Sequence, residues 1–375
     1  MIGYLAMNYP ILLPLTGENN LSKCQGVKMN AELNNKKEMP ETLEFGYVTT
    51  TDSFDPASDK DLFDKRINYL VEKDKEKRFK GISFQVPPDP AKVDVFLEMV
   101  SNCLEKGLRP IPIFMCGQDS NPLNPKVRDA AIENWANFCT AMHKSGCSHA
   151  MGPFEEWAAD PTSTWGKDDV QPLPEDVVAE RIESGAIVVK EGTRVLPSDT
   201  KFKFFCGENL IFDEQKTLNT ISREIQMAEK ANEFLKEIAS PLTFQIIVDT
   251  AHNLKLDRSH TRLDDALPDE VGKMLELAAS KNLIGLAHIS RPGERDNPLG
   301  GGYPLKSWLC KLWDLGVFVR QDIEMFNRFD FLVDNLTELT KDQCDFNIDD
   351  VWSPSIQTLE LTTSWYNDWK ESQPK

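Results

Sequence analysis

Residues 109–154 read RPIPIFMCGQDSNPLNPKVRDAAIENWANFCTAMHKSGCSHAMGPF, and this stretch decides the fold because it contains two strand patterns with a helix pattern between them. The apolar runs at 109–115 and 149–154 are short and bounded by turn residues, which is typical of buried strands. The Asn124–Pro125 pair predicts a helix start and Gly146 predicts its end. A strand, a helix and a second strand in this order predict a parallel sheet.

The same alternation extends along most of the chain. Eight apolar, β-prone runs are separated mostly by helical patterns, and they lie at residues 45–49, 81–86, 109–115, 149–154, 203–206, 244–249, 283–289 and 317–323. Eight repeats favour closure into a (β/α)8 TIM barrel in a single domain. An open doubly wound sheet is the alternative, but no glycine-rich phosphate loop follows the first strand.

Three segments stand apart from the repeats. Residues 1–42 lack a clean period, and we expect an N-terminal extension for which disorder is one interpretation. Residues 43–375 are predicted to hold the barrel and a C-terminal tail, 351–375, that covers either a barrel face or a subunit contact. The connection at 155–199 is long, so we expect an enlarged lid loop and a helix at 175–184.

Composition excludes several classes of partner. A net charge of −18 argues against nucleic acid, which needs a basic surface. No apolar run of membrane-spanning length is present, and no basic segment precedes the apolar N-terminal stretch as in a secretory signal. The eight cysteines include no CxxC pair, which is typical of reduced thiols. We therefore expect a cytoplasmic protein with no membrane partner.

Acidic residues and a histidine end the last four predicted strands. Glu208 ends the fifth strand, Asp249 ends the sixth, His288 ends the seventh and Glu324 ends the eighth. Barrel enzymes place their working groups at these carboxyl ends. A single polar residue there usually only caps a loop, but four in succession predict a shared site. His149, in contrast, begins a strand at the opposite end of the barrel and is predicted not to be catalytic.

The set of three carboxylates and one imidazole is oxygen-rich. It suits one Mn²⁺, Co²⁺ or Mg²⁺ ion better than structural zinc, which prefers sulfur and several imidazoles. Four ligands leave positions for two substrate oxygens, so the ion can polarise a carbonyl and stabilise an enediolate. Carboxylates on either side of a sugar can remove and return a carbon-bound proton.

The chain resembles a known family in an ordered set of motifs. Glu208-Asn-Leu-Ile-Phe-Asp-Glu, then Leu218-Asn-Thr, Asp249-Thr-x-His252, His288 with Arg295, and Glu324 resemble the D-tagatose 3-epimerase (ketose 3-epimerase) group of the xylose isomerase-like TIM barrels. The similarity covers residues 44–340. The ordered string of motifs is more specific than any one of them. The sequence departs from the family at Cys206-Gly207 before the fifth-strand glutamate, and in the enlarged connection after the fourth strand.

The resemblance implies roles for individual residues. Glu208 and Glu324 would be both metal ligands and the catalytic proton-transfer pair, and Asp249 and His288 would complete the metal coordination. Substrate-binding side chains would be His252, Arg295, Asp213, Glu214 and Trp157. Asp213 and Glu214 are alternatives for one acid that contacts the end of the substrate, and Trp157 either walls the sugar site or packs under the lid.

These observations predict an isomerase that epimerises a free ketose at C3. A 1,2-aldose–ketose isomerase would use the same site and stays open. A phosphodiesterase like the barrel AP endonucleases would need more histidines than the five present. A non-catalytic sugar-binding barrel would not need two opposed carboxylates. The expected partner is a small-molecule sugar, and assembly into a homo-oligomer stays open.

Overall fold

The computed structural model describes residues 39–48, 60–87, 89–154, 174–208, 221–250, 269–289, 305–324 and 341–373. Eight parallel strands form one closed barrel in sequence order. They are β1 Phe45–Val48, β2 Phe79–Gln85, β3 Arg109–Ile113, β4 His149–Pro153, β5 Phe204–Glu208, β6 Thr243–Asp249, β7 Ile284–Ile289 and β8 Gln321–Glu324. The predicted (β/α)8 barrel is confirmed, and the open-sheet alternative is wrong because β8 pairs with β1.

Helices pack around the outside of the barrel. Those in the described residues are α1 Lys60–Lys73, α2 Val93–Glu105, α3 Arg128–Ser145, α4 Glu175–Thr193, α5 Ile221–Glu237, α6 Asp269–Ser280, α7 Lys306–Asp314 and α8 Lys341–Ser372. Before α3, the Asn124 side chain accepts a hydrogen bond from the Lys126 amide at 3.1 Å. Gly146 ends α3 in the left-handed conformation, with φ of 69°. Gly146 therefore ends the helix as predicted, whereas Asn124 caps a 3-10 turn, Pro125–Val127, that precedes α3.

The pleat of the strands separates two cores. Side chains such as Phe205 and Phe244 belong to the large cluster between strands and helices. A smaller cluster consists of Val48, Ile111, Ile113, Met151, Cys206, Ile247 and Leu286. Because side chains alternate between the two faces of a strand, these residues fill the inside of the barrel. Residues two positions further along β5, β6 and β7 share that inward face.

The eighth strand begins later than predicted, at Gln321 rather than Val317. The apolar residues before it pack against α8 instead of joining the barrel: the Phe318 ring lies 5.9 Å from that of Trp369. The ladder begins only where the Gln321 amide donates to the Glu44 carbonyl at 2.8 Å. Apolar composition alone therefore did not separate strand from helix-packing residues.

The tryptophan-bearing tail belongs to α8, a helix of 32 residues. Near its middle, the Trp352 ring lies 6.1 Å from Tyr47 of β1. Further along, Trp369 donates from Nε1 to Asp314 Oδ1 at 2.7 Å, and the Tyr366 hydroxyl donates to the Pro40 carbonyl at 2.7 Å. The tail thus packs on the barrel wall.

The connection after β4 is only partly described. The predicted helix begins at Glu175 as expected but continues to Thr193, because Ala186, Val188 and Val189 extend its buried face. The predicted lid at 155–173 lies outside the described residues, as do residues 1–38 of the predicted extension. Across the described part of the chain, no helix combines the length and apolar content that crossing a membrane requires.

Candidate active site

Three neighbouring strands bring chemically active side chains to one end of the barrel. Glu208 is the last residue of β5, Asp249 is the last of β6, and His288 is the penultimate residue of β7. Each lies two positions after an inward-facing residue of the inner cluster, so each shares the inward face. The ladder places His288 directly opposite Asp249. Strand geometry alone therefore makes these side chains converge.

The three side chains are in close contact and shielded from solvent. Nδ1 of His288 lies 2.7 Å from Oε1 of Glu208 and 3.7 Å from Oδ2 of Asp249. Asp249 and His288 are 0% exposed and Glu208 is 7% exposed. One potential ligand atom from each lies within 4.8 Å of the others. Two carboxylates and an imidazole thus share one buried volume.

The donor set fits a divalent cation. Two ligands bound to one ion at 2.0–2.3 Å lie about 3–4.5 Å apart, close to the observed separations. Burial of two neighbouring carboxylates is costly, and a shared divalent cation offsets that cost. The choice of Mn²⁺, Co²⁺ or Mg²⁺ for such an oxygen-rich set stays a prediction.

The fourth predicted ligand lies on a strand at the same end of the barrel. Glu324 is the last residue of β8 and is paired with Val48 at the end of β1. It follows Asp322 by two positions, and Asp322 is fully buried. The structure describes the backbone of Glu324, so its predicted role as a ligand and catalytic acid–base group stays a prediction.

The five predicted substrate-binding residues lie outside the described residues, and they are Trp157, Asp213, Glu214, His252 and Arg295. All of them follow β4, β5, β6 or β7 in sequence. Their roles stay predictions.

Two residues of β5 explain its unusual sequence before the glutamate. Cys206 is buried inside the barrel, and burial raises the pKa of its thiol to about 12. Burial therefore favours the neutral thiol over the thiolate at neutral pH. At Gly207, a Cβ atom would lie 2.8 Å from the Phe244 ring, so glycine allows that ring to pack against β5.

Sequence reasoning missed a buried ion pair at the beginning of β8. Arg320, just before β8, and Asp322, within it, are 6% and 0% exposed. The guanidinium binds both carboxylate oxygens of Asp322, each at 2.6 Å. The available signal was two opposite charges, two positions apart, within a predicted strand.

His149 lies where the sequence places it, at the start of β4. Its ring stacks on Phe204 with a centroid distance of 4.8 Å. Burial, together with the positive charges of Arg109 and Arg320, lowers the pKa of His149 to about 4. The ring is therefore neutral at physiological pH.

Comparison with known proteins supports the fold. No protein-family model matches the sequence, and no curated protein sequence is similar to it. Solved structures do match. D-psicose 3-epimerase with D-tagatose from Clostridium cellulolyticum H10 has a TM-score of 0.54 at 14% identity, over 84% of this chain and 99% of that one. L-ribulose 3-epimerase has a TM-score of 0.55 at 15% identity, over 83% and 94%.

A third solved structure is described as a sugar phosphate isomerase/epimerase from Anabaena variabilis ATCC 29413. It has a TM-score of 0.58 at 16% identity, over 84% of this chain and 99% of that one. The resemblance to the ketose 3-epimerase group is therefore confirmed in the three-dimensional fold. At these identities the similarity establishes the architecture alone.

Proposed function

We propose that this chain is a divalent-metal-dependent sugar isomerase that epimerises a free ketose at C3. The observation that carries the proposal is the buried contact of Glu208, Asp249 and His288, with ligand atoms within 4.8 Å, at the carboxyl ends of consecutive barrel strands. This is the end at which barrel enzymes hold their working groups. The names of the structural neighbours, which are sugar epimerases, agree with the proposal.

The ion would be held by Glu208, Asp249 and His288, with Glu324 as the fourth ligand. When bound, a divalent ion polarises a ketose carbonyl and stabilises the negative charge that develops next to it. Mn²⁺ is the first choice, and Co²⁺ or Mg²⁺ suit the same oxygen-rich set.

The two glutamates would move the proton. β5 and β8 lie three strands apart around the ring, so groups at their ends approach a bound sugar from different sides. One carboxylate removes the C3 proton, and the carboxylic acid on the other side returns a proton to the opposite face, which inverts that carbon. Glu208, in contact with His288, is held in place for this role by a 2.7 Å interaction.

The proposed substrate-binding residues follow β4, β5, β6 or β7 in the sequence. His252, Arg295, Trp157 and either Asp213 or Glu214 would bind sugar hydroxyls and the sugar face. A 1,2-aldose–ketose isomerase would use the same proton transfer on a different carbon, and product analysis distinguishes the two. We also propose a cytoplasmic location and leave a homo-oligomer open.

The test is turnover with added Mn²⁺ on a panel of unphosphorylated ketoses, with products separated by chromatography. Glu208→Gln and Glu324→Gln are each expected to lower kcat by about 10²–10⁴-fold, because each removes a proton-transfer group. Asp74→Asn is the matched control. Asp74 is also a buried carboxylate, at 5% exposure, but its Oδ2 accepts a hydrogen bond from the Phe79 amide at the opposite end of the barrel.

The proposal is supported if both glutamine variants lose turnover while the Asp74 variant keeps it, after correction for folded protein. Full turnover in both glutamine variants would remove the pair from the mechanism. Absence of turnover of every ketose and aldose by metal-loaded protein would contradict the sugar isomerase assignment itself.

A further inference from the structure

A buried polar cluster lies at the beginning of β8. It consists of Arg320, Asp322 and Ser83 and is called here the β8 cluster. Arg320 donates from Nε and Nη2 to the two carboxylate oxygens of Asp322, at 2.6 Å each. Ser83 donates from Oγ to Asp322 Oδ2 at 3.1 Å. All three side chains are at most 6% exposed.

The β8 cluster connects strands that are not adjacent. Arg320 also lies 3.1 Å from Ser83 Oγ on β2 through Nη2, and donates from Nη1 to the Arg109 carbonyl on β3 at 3.1 Å. β8 itself is paired with β1 and β7 only. The guanidinium therefore links β8 to β2 and β3 across the intervening strand β1.

Two glycines make room for this link. A Cβ atom at Gly46 of β1 would overlap Asp322 Oδ1, and a Cβ atom at Gly81 of β2 would overlap Arg320 Nη1. Neither glycine has a positive φ, so backbone conformation does not require it. The space that the missing side chains leave is filled by the ion pair.

Stability alone is a poor explanation for such a pair. Burying two charges costs about as much as their attraction returns, and apolar replacements are often equally stable. The best-attested use of a buried polar group is to fix register. β8 has only four residues, and a slip by one residue would move every side chain to the other face.

We infer that the β8 cluster fixes the register of β8 and thereby positions Glu324, the last residue of that strand, at the barrel mouth. Arg320, Asp322 and Ser83 are thus positioning residues that act through Glu324. The inference rests on the proposed function for its catalytic consequence. Its structural part, the fixed register of β8, stands on the geometry alone.

The test removes both charges together, in the variant Arg320→Met/Asp322→Ala, so that no buried charge is left alone. Mn²⁺ affinity is measured by calorimetry and kcat by ketose turnover, in the wild type and in the Glu324→Gln background. We expect affinity and kcat to fall about 10–100-fold in the first background, the usual effect of losing a residue that orients a ligand. In the second background we expect no further fall in affinity.

Two controls separate positioning from general loss of stability. Leu275→Ala opens a cavity at α6, a helix that lies between β6 and β7 in the sequence and where Leu275 is 0% exposed. It should lower the unfolding midpoint while keeping Mn²⁺ affinity. Arg320→Lys keeps the charge but not the two-oxygen contact, and should restore part of the affinity relative to the double variant.

Amide hydrogen exchange tests the fixed register of β8 independently of metal binding. The double variant should lose protection in β8 and β1 while β5 and β6 keep theirs, and Leu275→Ala should not show this pattern. Unchanged protection in β8, or an affinity loss of equal size in both backgrounds, overturns the inference. The proposed function fails if the wild type binds no Mn²⁺, or if Glu324→Gln leaves Mn²⁺ affinity and turnover intact. In that case amide hydrogen exchange alone decides whether the β8 cluster holds β8.

Discussion

Replacing Gly81 by alanine tests how tightly the interior of the barrel is filled around Arg320. The added Cβ would overlap Nη1 and lie 2.6 Å from Cζ of the guanidinium. Ordinary contacts are about 3.5–4 Å, so the guanidinium must retreat by about 1 Å. That movement breaks the 3.1 Å interactions with Ser83 Oγ and with the Arg109 carbonyl.

The expected loss follows from those two interactions. Hydrogen bonds to a charged group contribute about 1.5–3 kcal/mol each, so Gly81→Ala should lower the free energy of unfolding by about 3–6 kcal/mol. The assay is denaturant unfolding followed by circular dichroism, with the midpoint and slope both reported. Gly107→Ala is the control, because its added Cβ meets nothing within 4 Å. It should cost about 1–2 kcal/mol, from its left-handed φ of 79° alone.

A double-mutant cycle tests whether the cost of Gly81→Ala comes from overlap with Arg320. In the Arg320→Met/Asp322→Ala background the obstructing atoms are gone, and Gly81→Ala should cost less than about 2 kcal/mol. The coupling free energy should therefore exceed about 1 kcal/mol. Equal losses in the two backgrounds would show that the glycine is needed for another reason, and the account of the β8 cluster would lose its steric basis.

Three further predictions concern the site and its surroundings. Gly207→Ala brings a Cβ to 2.8 Å from the Phe244 ring, so it should lower the free energy of unfolding by about 1–3 kcal/mol. An unchanged midpoint in denaturant unfolding would contradict this packing. The pKa of His149 is lowered to about 4 in the folded protein, from about 6.5 in the unfolded chain. Between these two pH values the unfolded chain binds the proton and the folded protein does not. The free energy of unfolding should therefore fall as the pH drops from about 6.5 towards 4. That loss should be about 1–2 kcal/mol after solvent screening, and His149→Phe should flatten the profile of midpoint against pH. Mn²⁺ at a hundred times its dissociation constant should raise the free energy of unfolding by about 2.7 kcal/mol, and a similar gain in Asp249→Asn at the same Mn²⁺ concentration would contradict the ligand assignment.

The barrel and the convergence of Glu208, Asp249 and His288 were predictable because they depend on local pattern. Alternating short apolar runs and helices predict the parallel order, and the strand-end rule then selects Glu208, Asp249 and His288. Period-two alternation explains why they meet: each follows an inward residue by two positions. No long-range information was needed beyond closure of the ring.

The β8 cluster was not predictable in the same way. Arg320 meets Ser83 and the Arg109 carbonyl across 237 and 211 residues of chain, a pairing that exists only once the barrel has closed. The signal in the sequence, one basic and one acidic residue near each other, is common on solvent-exposed strands. Only the burial of both groups identifies it as a tertiary interaction.

The sequence did not predict the helix α8, and the reason is different. Its buried face includes Ser355, Thr358 and Thr362, each 0% exposed, together with the apolar Leu359 and Tyr366. Small hydroxyl residues allow close packing but contribute no hydrophobic periodicity, so the apolar stripe is interrupted. Tertiary packing, rather than amphipathic pattern, defines this helix.

Anomalous diffraction from crystals grown with Mn²⁺ tests whether Glu208, Asp249, His288 and Glu324 bind one cation, as we propose. We expect a single strong peak at the carboxyl end of the barrel, with one ligand atom from each of the four side chains at about 2.0–2.6 Å. A peak elsewhere, or one at this end that lacks a ligand atom from any of the four side chains, would contradict it.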